Sequence, residues 1–117
     1  MNRRSSKLLF DVLESGRTIR DWCAGRNFAG YEKDRQFRRA AEREVEIIGE
    51  ALGRLARLEP DVAARITELP RIVGFRNRII HGYDTVDDAM VWGVLEGHLP
   101  QLLAEAGREL AAIDEED

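Results

Sequence analysis

Apolar residues recur every three or four positions along most of the chain, which is the spacing of one face of an α-helix. This periodicity predicts four main helices over residues 3–24, 31–58, 70–81 and 86–112, with a short helix over 61–67. No segment alternates apolar and polar residues as a half-buried strand does. The pattern therefore predicts an all-α fold, an antiparallel bundle of four main helices plus a short extra helix.

Residues that break or cap helices separate these periodic segments. The stretch 27–30 is predicted to be a loop, and Gly82 is predicted to end the helix before it. Thr85, three residues ahead of Asp88, approximates a capping box at the start of the last helix. Pro100 is predicted to kink that helix, because a proline ring clashes with the preceding helical turn.

Two glycines lie four residues apart in the long second helix, at positions 49 and 53. Each costs about 1 kcal/mol relative to alanine in a helix interior. Glycine lets another backbone or side chain approach closely, so we predict that another helix packs against this part of the second helix.

Length and composition indicate a single globular domain of 117 residues, 44% of them hydrophobic. We predict one domain over residues 1–113 and a frayed acidic tail over 114–117.

No apolar run is long enough to span a membrane or resembles a secretion signal. The single cysteine, Cys23, excludes an internal disulfide and a cysteine-rich metal site, and we interpret it as core filler. A cytoplasmic protein without a membrane association is expected.

The charge pattern excludes a basic surface over the whole molecule, which a nucleic-acid-binding protein is expected to have. The chain has 18 basic and 22 acidic residues, a net charge of −4, and its last four residues are all acidic. Any binding of nucleic acid must therefore come from a local patch of basic residues. The candidates are Arg71, Arg76 and Arg78, followed by Arg38, Arg39 and Arg43.

The segment from Gly74 to Tyr83 contains the chemically informative residues. Asn77 and His81 are four residues apart and share a helix face, so the asparagine amide is placed to orient the imidazole. Arg76 is close enough along the helix for its long side chain to reach the same patch. Histidine exchanges protons near neutral pH, and arginine clamps phosphate with two hydrogen bonds.

Together these groups suit metal-free RNA cleavage, in which a ribose 2′-hydroxyl attacks the adjacent phosphodiester. Such cleavage usually needs two proton-handling groups, and a two-fold dimer would bring a second copy of His81 to the site. When only the spacing of these residues is considered, a structural histidine beside solvated arginines is the more common explanation of the pattern. His98, 17 residues further on, is interpreted as structural.

The segment from Arg76 to Tyr83 resembles the R-x4-H-x-Y signature of HEPN-domain ribonuclease toxins, in particular the HepT (DUF86) branch. Four further segments resemble that family in the same order, namely Ile48–Ala51 (IGEA), Leu69–Pro70, Val91–Trp92 and Leu99–Leu103. The resemblance covers about residues 35–110. One departure is Pro70-Arg71-Ile72, where many relatives have a tryptophan soon after the proline.

The resemblance implies a dimerising all-α bundle that cleaves RNA as an endoribonuclease without a metal or another cofactor. It implies that Arg76 and His81 form the catalytic pair, that Asn77 supports the site, and that RNA lies in a cleft between two subunits.

The same resemblance implies the toxin of a type VII toxin–antitoxin system, paired with a small nucleotidyltransferase antitoxin of the MNT type. That antitoxin would transfer AMP from ATP to Tyr83, adding bulk and negative charge where a phosphate must dock. The alternative is a non-catalytic HEPN binding subunit that docks a nucleotidyltransferase. A third hypothesis is a plain structural dimer in which His81 is buried.

Overall fold

The computed structural model describes the backbone of residues 3–116 and the side chains of residues 3–113. This part of the chain forms seven α-helices and no strand. The helices are α1 (Arg3–Cys23), α2 (Phe28–Lys33), α3 (Arg35–Leu58), α4 (Pro60–Ala64), α5 (Leu69–His81), α6 (Asp88–Gly97) and α7 (Leu99–Glu116), with a 3-10 turn at Tyr83–Thr85. The predicted all-α fold is confirmed. None of the described helices has the length and apolar composition needed to cross a bilayer.

Helices α1 and α3 pack against each other at the centre of the bundle, and α7 packs on the other side of α1. Helix α5 lies on the outside of α3. The apolar stripe predicted along α3 is buried at each of its positions, Phe37, Ala41, Val45, Ile48, Leu52 and Leu55. Because α3 packs against both α1 and α5, it is the element that positions α5 in the bundle.

The helix predicted over 31–58 is two helices, and the predicted loop at 27–30 is mostly helical. Asp34 has an extended backbone, and its side chain accepts a hydrogen bond from the Phe37 N–H, so it is the N-cap of α3. Asn27 caps α2 in the same way, through the Gly30 N–H at 2.9 Å. Two capping residues so close together begin two helices where periodicity alone predicts one.

The helix predicted over 86–112 is also two helices, which separate at His98. Pro100 is the second residue of α7 rather than an interior residue, and a proline at that position removes no intrahelical hydrogen bond. The predicted capping box is wrong as well. Asp87 caps α6 through the Met90 N–H, whereas the Thr85 hydroxyl donates to the Gly82 carbonyl.

The other boundaries are close to the predictions. The short helix begins at Pro60 and ends at Ala64, so it is shorter than the predicted 61–67. Helix α5 ends at His81, and the N–H of the C-cap residue Gly82 donates to the Arg78 carbonyl. Residues 114–116 continue α7, but the side chains of 114–117 lie outside the described part of the chain, and fraying of this tail stays a prediction.

The close packing predicted for the two α3 glycines occurs at one of them only. A Cβ atom at Gly49 would overlap the Cβ of Arg76 and lie 2.6 Å from its Cγ. A Cβ atom at Gly53 would meet only the Arg57 guanidinium, at 4.0 Å. Gly49 therefore sets how closely α5 approaches α3, and Gly53 does not.

Candidate functional site

Arg76 is wedged between α5 and α3. Its side chain crosses Gly49, and its Nη2 lies 2.7 Å from the Glu50 carboxylate on α3. Its Nη1 donates to the Asn77 side-chain oxygen at 3.0 Å. The side chain is 25% exposed, and its Nε is buried without a hydrogen-bond partner among the described residues. The guanidinium is thus fixed by two neighbours while part of it faces solvent.

The Asn77 amide supports the arginine and not the histidine. Sequence spacing predicted that Asn77 would orient the His81 imidazole, but its oxygen accepts from Arg76 instead. The shared helix face is real, but the adjacent guanidinium is a charged donor, and such hydrogen bonds are the stronger ones.

His81 is the last residue of α5 and is exposed. No hydrogen bond or ion pair joins its side chain to Arg76 or to any other residue in the described range. The two side chains are five residues apart on one helix, an axial rise of about 7.5 Å. The imidazole is therefore open to a substrate or to a second copy of the chain, and it is not sealed in a core.

Tyr83 lies in the 3-10 turn directly after α5 and is 44% exposed. Its hydroxyl donates to the Glu42 carboxylate at 3.2 Å and accepts from the Arg39 guanidinium. The guanidinium also lies 5.5 Å from the centre of the tyrosine ring. The phenol oxygen is therefore held by a charged pair on α3, while the ring faces outward.

The carboxylate that holds this phenol is itself buried. Burial raises the pKa of Glu42, an effect that the Tyr83 hydrogen bond and the Arg39 charge oppose. The pKa of Tyr83 is raised too, by partial desolvation and by the charge of Glu42. Sequence reasoning missed Glu42, because nothing in the chain links it to a tyrosine 41 residues further on.

The two other predicted RNA-binding arginines of this segment have different surroundings. Arg78 donates from Nε and Nη2 to the Thr85 hydroxyl and carbonyl, both at 2.9 Å, so it fixes the turn that contains Tyr83. Arg71 is exposed and lies 3.8 Å from Glu68. Arg78 is thus committed to positioning the turn, whereas Arg71 stays available.

The start of α5 is capped from a distant helix. The buried Glu105 carboxylate on α7 accepts from the Thr67 N–H at 3.0 Å, the Thr67 hydroxyl at 2.5 Å and the Glu68 N–H at 3.2 Å. Burial raises the pKa of Glu105, but these hydrogen bonds favour the charged form and lower the pKa overall. His98 Nδ1 lies 3.0 Å from Glu68 at the same end of α5, which agrees with its predicted structural role.

A groove of about 380 Å³ opens beside Arg76, between α1, α3 and α5. Glu50 and Ile80 line it together with the arginine, and Ile80 is 42% exposed. Within the described part of the chain, no group of three or more His, Cys, Asp or Glu side chains is arranged to bind a metal ion.

The sequence also matches the model of a known protein family. The family model described as "Ribonuclease HepT-like" matches residues 12–108, most of the chain and all of α3 and α5.

The chain belongs to the HepT-like ribonuclease family.

Curated relatives of this HepT-like protein have ribonuclease names and similar lengths. "Putative RNase MJ1380" of Methanocaldococcus jannaschii is 28% identical over 90% of this chain and 96% of its own length. "Putative RNase MJ0127" of the same organism is 26% identical over 93% and 89%. "Putative RNase TTE0752" of Caldanaerobacter subterraneus subsp. tengcongensis is 31% identical over 78% and 80%. No solved structure matches the chain.

The HepT-like assignment confirms the family identified from the motif segments of the sequence. In the bundle, the IGEA segment and the R-x4-H-x-Y segment lie against each other, because Gly49 receives the Arg76 side chain and Glu50 binds its guanidinium. Two segments 26 residues apart in sequence thus form one local arrangement around the arginine.

Proposed function

We propose that the chain is a metal-independent endoribonuclease in which Arg76 and His81 act on one RNA phosphodiester. The observation that supports this proposal is the exposed imidazole, without a hydrogen-bond partner among the described residues, at the end of a helix whose arginine is oriented by Glu50 and Asn77. An acid–base residue needs access to its substrate, and a charge-stabilising residue needs a fixed position.

The reaction is an internal transfer at phosphorus. The ribose 2′-oxygen loses its proton and attacks the adjacent phosphorus, and the bond to the 5′-oxygen of the next nucleotide breaks. The products are a 2′,3′-cyclic phosphate and a 5′-hydroxyl. His81 would exchange one of the two protons involved, and the Arg76 guanidinium would stabilise the negative charge that develops on the phosphoryl oxygens.

The second proton-handling group would be His81 of a second copy. Ile80, next to His81, is 42% exposed, and an exposed apolar residue at the end of α5 suits a contact between two copies. A two-fold axis there would bring both catalytic pairs to one cleft. Sedimentation of the chain and of an Ile80→Glu variant tests this step, since the variant should shift the protein towards the monomer.

The site also suits control by modification of Tyr83. We infer that an MNT-type nucleotidyltransferase antitoxin transfers AMP from ATP to the Tyr83 oxygen, so that the chain is the toxin of a type VII toxin–antitoxin pair. The exposed ring two residues after His81 supports this inference. An AMP group there would place a phosphate's charge and bulk beside the histidine and repel the RNA backbone.

The proposal is tested with purified protein and RNA in the presence of EDTA. The parent chain should produce fragments with cyclic phosphate ends. His81→Ala and Arg76→Ala should each lower the cleavage rate at least 100-fold, whereas Arg108→Ala, an exposed arginine on α7, serves as the matched control. Cleavage by both site variants at the parent rate would show that the active site lies elsewhere.

One observation favours the alternative of a non-catalytic HEPN subunit. The Arg76 guanidinium is already paired with Glu50 at 2.7 Å, and this carboxylate competes with a phosphate for it. In that case RNA would stay intact in the same assay, and the chain would instead form a stable complex with a nucleotidyltransferase.

A further inference from the structure

Basic side chains are concentrated around a second groove, on residues outside the segment that the sequence singled out. This groove, of about 590 Å³, lies between the start of α1 and the end of α3. Its cationic residues are Arg3, Arg4, Lys7, Arg54 and Arg57. Asp11 is the one acidic residue that lines it, whereas the chain as a whole has a net charge of −4. We call these five residues and the groove they line the basic groove.

Most of this positive charge is not neutralised within the protein. No described acidic side chain lies within ion-pair distance of Arg3, Arg4 or Arg57, and all three are exposed. Lys7 pairs with Asp11 at 2.6 Å, and Arg54 pairs with Glu50 at 3.1 Å. Like charges repel at this density, so the groove is a favourable place for a polyanion.

Three of the arginines that sequence reasoning offered for RNA binding, Arg38, Arg39 and Arg43, are more fully engaged. Arg39 binds Tyr83, Arg43 lies 3.2 Å from Glu46, and Arg38 lies 3.6 Å from Asp88. A phosphate would have to displace these partners. The basic groove offers free guanidinium groups instead.

The basic groove is continuous with the groove beside Arg76. Leu8, Asp11 and Arg54 line both of them. Along α3, Gly49 contacts Arg76 and Arg57 lies eight residues further on, an axial distance of about 12 Å. A chain of phosphates that begins at Arg76 would therefore follow α3 directly into the basic groove.

We propose that the basic groove binds the phosphate backbone of the RNA strand on one side of the bond that is cut. This proposal rests on the proposed function, because it takes RNA to be the substrate. Arginine forks bind phosphate oxygens with two parallel hydrogen bonds. The Phe10 ring, which is 50% exposed and lies 5.6 Å from Lys7 Nζ, offers a face on which a base can stack.

The test compares two double variants in an RNA-binding assay. Arg3→Gln/Arg57→Gln removes two free guanidinium groups from the basic groove. Arg17→Gln/Arg108→Gln removes two arginines outside it, which are also exposed and have no acidic partner among the described residues. All proteins also contain His81→Ala, so that the RNA stays intact during the measurement.

The probe is a fluorescent single-stranded RNA of about 12 nucleotides, and polarisation is measured over a series of salt concentrations. Each phosphate contact contributes about 0.7 to the slope of log K against log salt for a single strand. Loss of two contacts should reduce the magnitude of this negative slope by about 1.4. For proteins with equal affinity at 1 M salt, this difference makes binding about 25-fold weaker at 0.1 M salt. The control variant should keep the slope and affinity of the parent.

A cleavage comparison separates failure of the basic groove from failure of the proposed function. With His81 restored, the groove variant should lose more activity on the 12-nucleotide RNA than on a dinucleotide, which has a single phosphodiester. Arg76→Ala should lose activity on both substrates. Cleavage of both by Arg76→Ala would refute the active site, while the polarisation data would still report on the basic groove.

Three results would overturn the proposal. The first is RNA binding by the groove variant with the parent's affinity and salt slope. The second is the absence of salt-dependent RNA binding by the parent. The third is unchanged RNA binding together with loss of a complex with an acidic partner protein, which would make the groove a protein-docking surface.

Discussion

Replacing Gly49 by alanine tests whether the approach of α5 to α3 controls both stability and the position of Arg76. The added methyl group would overlap the Arg76 Cβ and lie 2.6 Å from its Cγ, which is far inside van der Waals contact. These atoms are the fixed stem of the side chain, so relief requires α5 to shift. Gly53→Ala, one turn further along α3, is the matched control because its methyl group meets nothing closer than 4.0 Å.

The two substitutions share one effect and differ in another. Alanine in place of glycine in a helix interior stabilises the protein by about 1 kcal/mol, which applies to both positions. Overpacking costs about 1–3 kcal/mol, which applies to Gly49 alone. Gly53→Ala should therefore stabilise the fold by about 1 kcal/mol, whereas Gly49→Ala should leave it unchanged or destabilise it by up to about 2 kcal/mol.

Urea unfolding followed by circular dichroism measures this difference, with the slope of each transition checked for two-state behaviour. RNA cleavage by the same proteins gives the second measurement. A displacement of about 1 Å in a catalytic group costs on the order of 100-fold in rate, so Gly49→Ala should be much slower than Gly53→Ala. Equal stabilisation by the two substitutions would refute the packing argument, whatever the cleavage rates.

Two further predictions concern carboxylates that sequence reasoning missed. Glu42→Gln should lower the pKa of Tyr83, because the variant removes a negative charge beside the phenol, and phenolate absorbance reports this shift. Tyr31, the other tyrosine, is buried with a strongly raised pKa and should not contribute to the titration; a Tyr83 titration identical in parent and variant would contradict the contact. Glu105→Gln should cost about 1–2 kcal/mol at pH 7, since hydrogen bonds to a charged acceptor become neutral ones. The pKa of Glu105 is lowered by folding, so its contribution is complete above the ordinary glutamate pKa and is lost as the pH falls through the lowered value. Urea midpoints of parent and variant should therefore converge in acid, and a gap independent of pH would contradict the assignment.

The sequence predicted the fold class and the buried face of α3 because both depend on periodicity within one helix. It did not predict the breaks at Asp34 and His98, since apolar periodicity continues across both positions. At Asp34 a side-chain cap outweighs the propensity of the flanking residues to continue the helix.

For the candidate site too, the features that depend on spacing along the chain were predicted, whereas those that depend on how the helices pack were not. The placement of Arg76 and His81 on one helix near its end was predicted, because it depends on spacing along the chain. The contacts that α3 and α7 make with this part of the chain were not predicted. Tyr83 meets Glu42 and Thr67 meets Glu105 only after helices pack, and periodicity does not specify how one helix is rotated against another.

The cap that Glu105 supplies links the order of synthesis to the completion of the site. Thr67 and Glu105 are 38 residues apart, so the first turn of α5 leaves the ribosome well before its hydrogen-bond acceptor does. Until α7 has followed and docked, the amides at the start of the motif helix have only water to bind. A nascent chain therefore contains the arginine and the histidine before α7 can cap the start of the helix that carries them.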